Sequence, residues 1–123
     1  MGVRRGVAAL GLNLCAEHRS LYSDTVSAIR TPDGVDAREV IKIACARHNA
    51  AFGPGLSQLA GKAFRIGHLG DLSEGMMISA LGIAEMCLAD AGARVEFGSG
   101  VGAALACYTE GRLARTTTCV AAR

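Results

Sequence analysis

The residue pattern predicts an α+β domain: a small antiparallel sheet with helices packed on one face. Three observations carry this. Residues 36–49 and 71–91 are apolar at helical spacing, and each stretch opens on an aspartate suited to capping. Residues 25–30 and 62–68 alternate with the period of two that marks a strand. The order of elements is helix, strand, helix, one or two strands, helix, which is the mixture of an α+β layer.

Residues 3–18 read as the first helix, with Val7, Leu10, Leu14 and Cys15 on one face and Arg4, Arg5 and Glu17 elsewhere. Arg4 and Arg5 ahead of an apolar run loosely imitate a secretory leader. The run is short, holds Asn13 and lacks a small-x-small cleavage site, so an amphipathic helix is the better reading. In residues 25–30, Val26 and Ala28 point one way and Thr25, Ser27 and Ile29 the other, before a turn at Pro32-Asp33-Gly34. Asp36 then caps a helix with Glu39 at its N3 position. Val40, Ile41, Ala44 and Cys45 form its buried stripe, and it ends near His48 and Asn49.

Phe52-Gly-Pro-Gly-Leu56 reads as a loop. In the strand over 62–68, Phe64 and Ile66 share one face and Arg65 lies on the other, between Ala63 and Gly67. Asp71 opens the longest helix, with Glu74 at N3. Its broad apolar face is Met76, Met77, Ala80, Leu81, Ala84, Cys87 and Leu88; Glu85 and Asp90 mark its wet side, and Gly92 stops it. Residues 95–97 give at most a short strand. A short helix follows over 103–108, and 109–123 read as a disordered tail carrying Arg112, Arg115 and Arg123.

With 123 residues the chain has room for one modest core. Half the residues are hydrophobic and 20% are charged, below the roughly 25% usual for a soluble domain. An apolar surface meant to meet a partner fits this balance. A net charge of +2, from 13 basic and 11 acidic residues, with no Trp, gives no nucleic-acid footprint. The longest uncharged run, 97–109, has 13 residues and falls short of the roughly 18 apolar residues that would suggest a membrane span. Cys15, Cys45, Cys87, Cys107 and Cys119 are odd in number and lack C-x-x-C spacing, which points to reduced thiols in a cytoplasmic protein. His18, His48 and His68 lack ligand spacing, so no metal site is expected.

Among motifs, Gly98-x-Gly100-x-x-Ala103 imitates a dinucleotide fingerprint. It lacks a βαβ unit and an acidic residue about 20 positions on, so it reads as a flexible turn. Lys42 and Lys62, the only lysines, both read as surface residues, neither in a phosphate-cradling context. Arg65 stands out. A guanidinium is a rigid fork that fits a carboxylate through two hydrogen bonds. Its small neighbours leave room for a ligand. A structural ion pair, with Asp71 for example, is an equal alternative from spacing alone.

The run from Gly61 to Asp71, Gly-Lys-Ala-Phe-Arg-Ile-Gly-His-Leu-Gly-Asp, closely resembles the small-domain signature of class V pyridoxal-phosphate aminotransferases, in particular serine–glyoxylate and alanine–glyoxylate aminotransferases. The resemblance extends forward through the helix 72–91 and back through Ser27-Ala-Ile-Arg-Thr-Pro-Asp-Gly34, 36–49 and 52–56, and covers roughly 1–108. It implies the small domain of a fold-type I enzyme, with residues 1–18 as the helix linking to a large domain. It also implies that Arg65 holds the α-carboxylate of an amino-acid or oxo-acid substrate. Pyridoxal 5'-phosphate, the Schiff-base lysine and the phosphate cup belong to the family's large domain, which nothing here matches. The chain by itself is therefore expected to bind no cofactor and to be inactive, with an apolar docking face and a tendency to self-associate. The alternative expectation is a stand-alone module that binds a small carboxylate through Arg65 without catalysis.

Overall fold

The computed structural model describes residues 2–16, 26–55, 57–67 and 73–121. Expectations placed on His18, Thr25, Leu56, His68, Asp71 and the side chain of Cys119 fall outside the described residues. The elements are α1 (Gly2–Ala9), β1 (Asn13–Leu14), β2 (Val26–Arg30), α2 (Ala37–His48), β3 (Gly53–Pro54), a 3-10 turn (Ser57–Leu59), β4 (Ala63–Gly67), α3 (Glu74–Asp90) and α4 (Ser99–Ala121). The strands form one antiparallel sheet in the order β1-β2-β4-β3. The architecture is the α+β layer that the sequence predicts.

One face of the sheet belongs to the core. Ile29, Phe64 and Ile66 are buried there, joined by Leu14 from β1. Phe52 stacks on Phe64 with ring centroids 5.4 Å apart. Helices α1 and α2 contact the sheet; α3 packs on both, and α4 packs on α1 and α3. Val40 and Ala44 of α2, with Leu81, Ala84, Cys87 and Leu88 of α3, complete the cluster, whereas Cys45, read as part of the buried stripe, is exposed. Burying a side chain of Leu, Ile or Phe size contributes about 1.5–3 kcal/mol, so these positions dominate stability.

The ends of the helices follow their local chemistry. Asp36 caps α2 as expected, although its carboxylate accepts from the Arg38 backbone N–H rather than from Glu39. The Arg38 guanidinium folds back onto the same carboxylate, which holds Asp36 below the usual carboxylate range. Helix α2 ends at Asn49 in the left-handed region, where asparagine is tolerated. The expected start of α3 is corrected: Ser73, two residues after Asp71, is the N-cap, its hydroxyl accepting from the Met76 N–H, and Glu74 is the first helical residue instead of standing at N3. Gly92, at φ +100, closes that helix: its N–H reaches the Ala89 carbonyl and the Ala93 N–H reaches Leu88.

Three segments of the chain also take a course other than the one read from the sequence. The first helix stops at Ala9 instead of running to residue 18. Gly11 takes φ +72, its N–H bonds to the Ala8 carbonyl, and the Leu12 N–H bonds to Val7; this closing pattern ends a helix and releases Asn13-Leu14 to pair with Arg30 and Ile29. Residues 53–54, read as a loop, add a short edge strand to β4. Residues 99–121 form a single helix, in place of a short helix and a disordered tail, and residues 95–97 form no strand. Two ion pairs tie the middle of α4 to its neighbours, Arg5 with Glu110 and Arg112 with Glu74.

Glu85 explains why α4 starts where it does. The sequence places this carboxylate on the wet side of α3, yet it is 3% exposed. It accepts from the backbone N–H groups of Gly98 at 2.7 Å and Val101 at 3.0 Å. These are among the N–H groups that a helix start leaves without partners, and an anion there also meets the positive end of the helix dipole. The dinucleotide-like glycines therefore start a helix whose N-terminus is already occupied by a side chain. They are not a flexible turn.

Candidate carboxylate site on the sheet

The sheet face turned away from the helices is defined by register. Side chains alternate along a strand, and directly paired residues share a face. With Phe64 and Ile66 in the core, Ala63, Arg65 and Gly67 of β4 lie on the opposite face. Across β2 they pair with Arg30, Ala28 and Val26, and across β3 Arg65 pairs with Gly53. Arg65 is thus ringed by Ala28, Gly53, Ala63 and Gly67. Ala63 and Gly67 were visible as its neighbours along the strand. Ala28 and Gly53 emerge only from the pairing.

Gly53 and Pro54 also orient the arginine. The Arg65 Nε donates to the Pro54 carbonyl at 3.0 Å. A Cβ placed on Gly53 would lie 3.2 Å from that Nε and 3.4 Å from Nη2, tighter than most such contacts. Glycine therefore lets the side chain lie close across β3. One hydrogen bond to a backbone carbonyl fixes the fork while Nη1 and Nη2 remain for a ligand. No carboxylate lies within ion-pair distance of Arg65 among the described residues. The sequence signal for β3 is weak, because two residues that include a proline do not alternate measurably.

The lysines do not fit a pyridoxal-phosphate cradle. Lys42 is exposed on α2 and Lys62 is exposed in the turn before β4. A Schiff-base lysine is commonly made nucleophilic by a desolvated pocket, and both lysines are exposed instead. The N-terminus of α4, which might otherwise receive a phosphate, is filled by Glu85. Among the described residues no three His, Cys, Asp or Glu side chains group as metal ligands. Met77 is buried as expected, whereas Met76 is half exposed and does not belong to the core.

No protein-family profile matches the chain. Curated relatives do. The chain is 51% identical over 109 residues to the L-aspartate–glyoxylate aminotransferase of Paracoccus denitrificans, an alignment covering 89% of this chain and 28% of that enzyme. It is 53% identical over 112 residues to the serine–glyoxylate aminotransferase of Methylorubrum extorquens, covering 91% of this chain and 28% of the relative. In fold it is similar to the crystal structure of pyridoxamine–pyruvate aminotransferase from Mesorhizobium loti, with a TM-score of 0.80 and 39% identity over 85% of this chain and 27% of that one. The chain spans about a quarter of the length of the relatives it matches.

Proposed function

We propose, given that this chain belongs with the class V aminotransferases and corresponds to their C-terminal small domain, that it supplies the substrate-carboxylate arginine of an amino-transfer reaction. Arg65 holds the α-carboxylate of an amino-acid donor such as serine, alanine or aspartate, and of glyoxylate as acceptor. The observation that carries this is the Arg65 fork, oriented by one backbone carbonyl and surrounded by small residues. Pyridoxal 5'-phosphate is the cofactor of the full-length family and provides the carbanion chemistry there. The residues of this chain do not fit that group, and no chemical step is assigned to them. Their part is to bind and orient a carboxylate, so that a reacting carbon is held against chemistry supplied by sequence this chain does not span. Orientation of this kind is a large part of enzymatic rate enhancement. The reading as a stand-alone binding module gains no support from the relatives, all of which are several times longer over the same match.

Two further readings go with this one. Met76, Phe97, Leu105 and Leu113 are exposed apolar side chains, which supports self-association of the isolated chain. Cys15, Cys45, Cys87 and Cys107 are all free, which supports a reducing, cytoplasmic setting. No helix among the described residues is long and apolar enough to cross a membrane.

The test is a titration of the purified chain with glycolate, followed by amide and arginine side-chain NMR, in the wild type and in Arg65→Met. Saturable shifts around β3 and β4 that vanish in Arg65→Met are expected. Equal responses in the two proteins would overturn the assignment. Borohydride trapping with pyridoxal phosphate should give no stoichiometric adduct, and one such adduct at Lys42 or Lys62 would overturn the view that the cofactor site lies elsewhere.

A further inference from the structure

A second cationic locus adjoins Arg65. Arg30 pairs directly with Ala63, two residues before Arg65 on β4, so both arginines stand on the same sheet face. Arg65 leans over β3 toward Pro54. Arg30 rises from β2 on the other side of β4. The two strands are adjacent, so one strand spacing of about 4.8 Å and an offset of two residues separate their origins, the diagonal relation in which long side chains come within reach of each other. Arg30 also heads a cleft of about 610 Å³ whose walls include Gln58 and Lys62. The two segments that bring Arg30 and Lys62 together are fixed to each other. The Thr31 N–H donates to the Lys62 carbonyl at 3.0 Å, and the Thr31 hydroxyl reaches the carbonyls of Val35 and Lys62.

The charges in this cleft do not cancel. Asp36 lines it, but its carboxylate is engaged by the Arg38 guanidinium and backbone. Asp33 is the remaining acid on the wall, against Arg30 and Lys62. Both cations are exposed, and no acidic partner meets either among the described residues. Like charges gathered at one cleft repel one another, and a bound anion relieves that repulsion.

We propose that the cleft headed by Arg30 and Lys62 takes the second carboxylate of a dicarboxylic substrate whose first carboxylate lies on Arg65. This rests on the reading of Arg65 given above. The preferred ligands are short dicarboxylates and dicarboxylic amino acids, which reach from Arg65 toward Arg30 along the diagonal between β4 and β2. Arg30 and Lys62 are specificity-determining residues: they select among carboxylates and do not take part in bond making. The contacts are solvent-exposed, and exposed ion pairs contribute about 0.2–1 kcal/mol each. The expected preference is correspondingly modest.

The test compares glycolate with succinate on the full chain by NMR titration. Succinate has two equivalent ends, which alone gives about a twofold statistical advantage; in the wild type it should exceed this by about two- to fivefold. In Arg30→Met/Lys62→Met the ratio should fall to the statistical value while glycolate affinity stays within about twofold. Arg30→Lys/Lys62→Arg should restore the preference, which separates lost charge from damaged structure. An unchanged ratio in the Met variant would overturn the proposal and leave Arg65 as a simple carboxylate site. Loss of glycolate and succinate binding together in Arg65→Met is required; if neither ligand binds the wild type, or if Arg65→Met binds both normally, the underlying reading of Arg65 fails and this one with it.

Discussion

The two sides of the sheet are built on opposite rules. On the helical side, close approach leaves little slack. A Cβ on Gly6 would lie 2.9 Å from the Gly100 carbonyl oxygen and 2.9 Å from a Leu81 methyl, and a Cβ on Gly100 would meet Glu85 and Leu10 at the same distance. Backbone meets backbone there, and the buried Glu85 carboxylate spends its oxygens on helix N–H groups. On the other side, Ala28, Gly53 and Gly67 set no long side chain beside Arg65, and cations stand without acidic partners among the described residues. The contrast teaches that small residues do two different jobs: in the helical layer they permit close packing, and beside Arg65 they keep long side chains away from the guanidinium.

That contrast can be broken from the packed side first. Phe64→Ala removes the central fully buried ring and should destabilise the chain by about 3–5 kcal/mol, read by urea denaturation. Gly6→Ala forces α1 away from Gly100 and Leu81 and should cost about 1–3 kcal/mol by the same measurement. If Gly6→Ala proved neutral, the helical layer would have more slack than its distances state. Glu85→Leu leaves the Gly98 and Val101 N–H groups without their acceptor and should also cost about 1–3 kcal/mol. Faster amide exchange confined at first to the start of α4 would identify the cause. Arg65→Met, on the open side, should change stability by no more than about 0.5 kcal/mol while abolishing glycolate binding. A large loss of stability would mean that Arg65 is structural after all.

The smallest effect concerns pH. Burial pushes the Cys87 thiol and the Tyr108 phenol above their ordinary values. Both are neutral acids whose folded pKa is raised, so their stabilisation is complete below the unfolded pKa and is lost as pH rises through the folded one. Thermal melting should therefore fall as pH rises past about 9, where an unfolded thiol ionises. Cys87→Ala should flatten the first part of that fall, and an unchanged slope would point to other groups.

How much of this was readable in the sequence depended on whether the cause was local. Strand β4, helix α2 and the end of α3 at Gly92 rest on alternation, a cap and a glycine, all within a few residues, and each was legible. Helix α4 was not, because its start is satisfied by Glu85, 13 residues earlier at the nearer contact, and its middle is tied to Arg5, 105 residues away from Glu110. Glu85 itself looked solvated because a charged residue normally is; only the tertiary partner explains its burial. At the candidate site, Arg65 and its two neighbours along the strand could be read directly. Gly53 and Pro54 could not, since a two-residue edge strand has no period to detect.

The edges of the sheet carry one more consequence. Each outer strand is two residues long, and β3 ends in Pro54, which has no N–H to offer. An incoming extended chain finds almost no ladder to copy on either side, and short or proline-bearing borders are how β proteins resist templated growth into fibres. Among the described residues the helix surfaces and the face around Arg65 are then better suited to assembly than the strand edges, and complexes of this chain should saturate at small, countable sizes rather than elongate without limit.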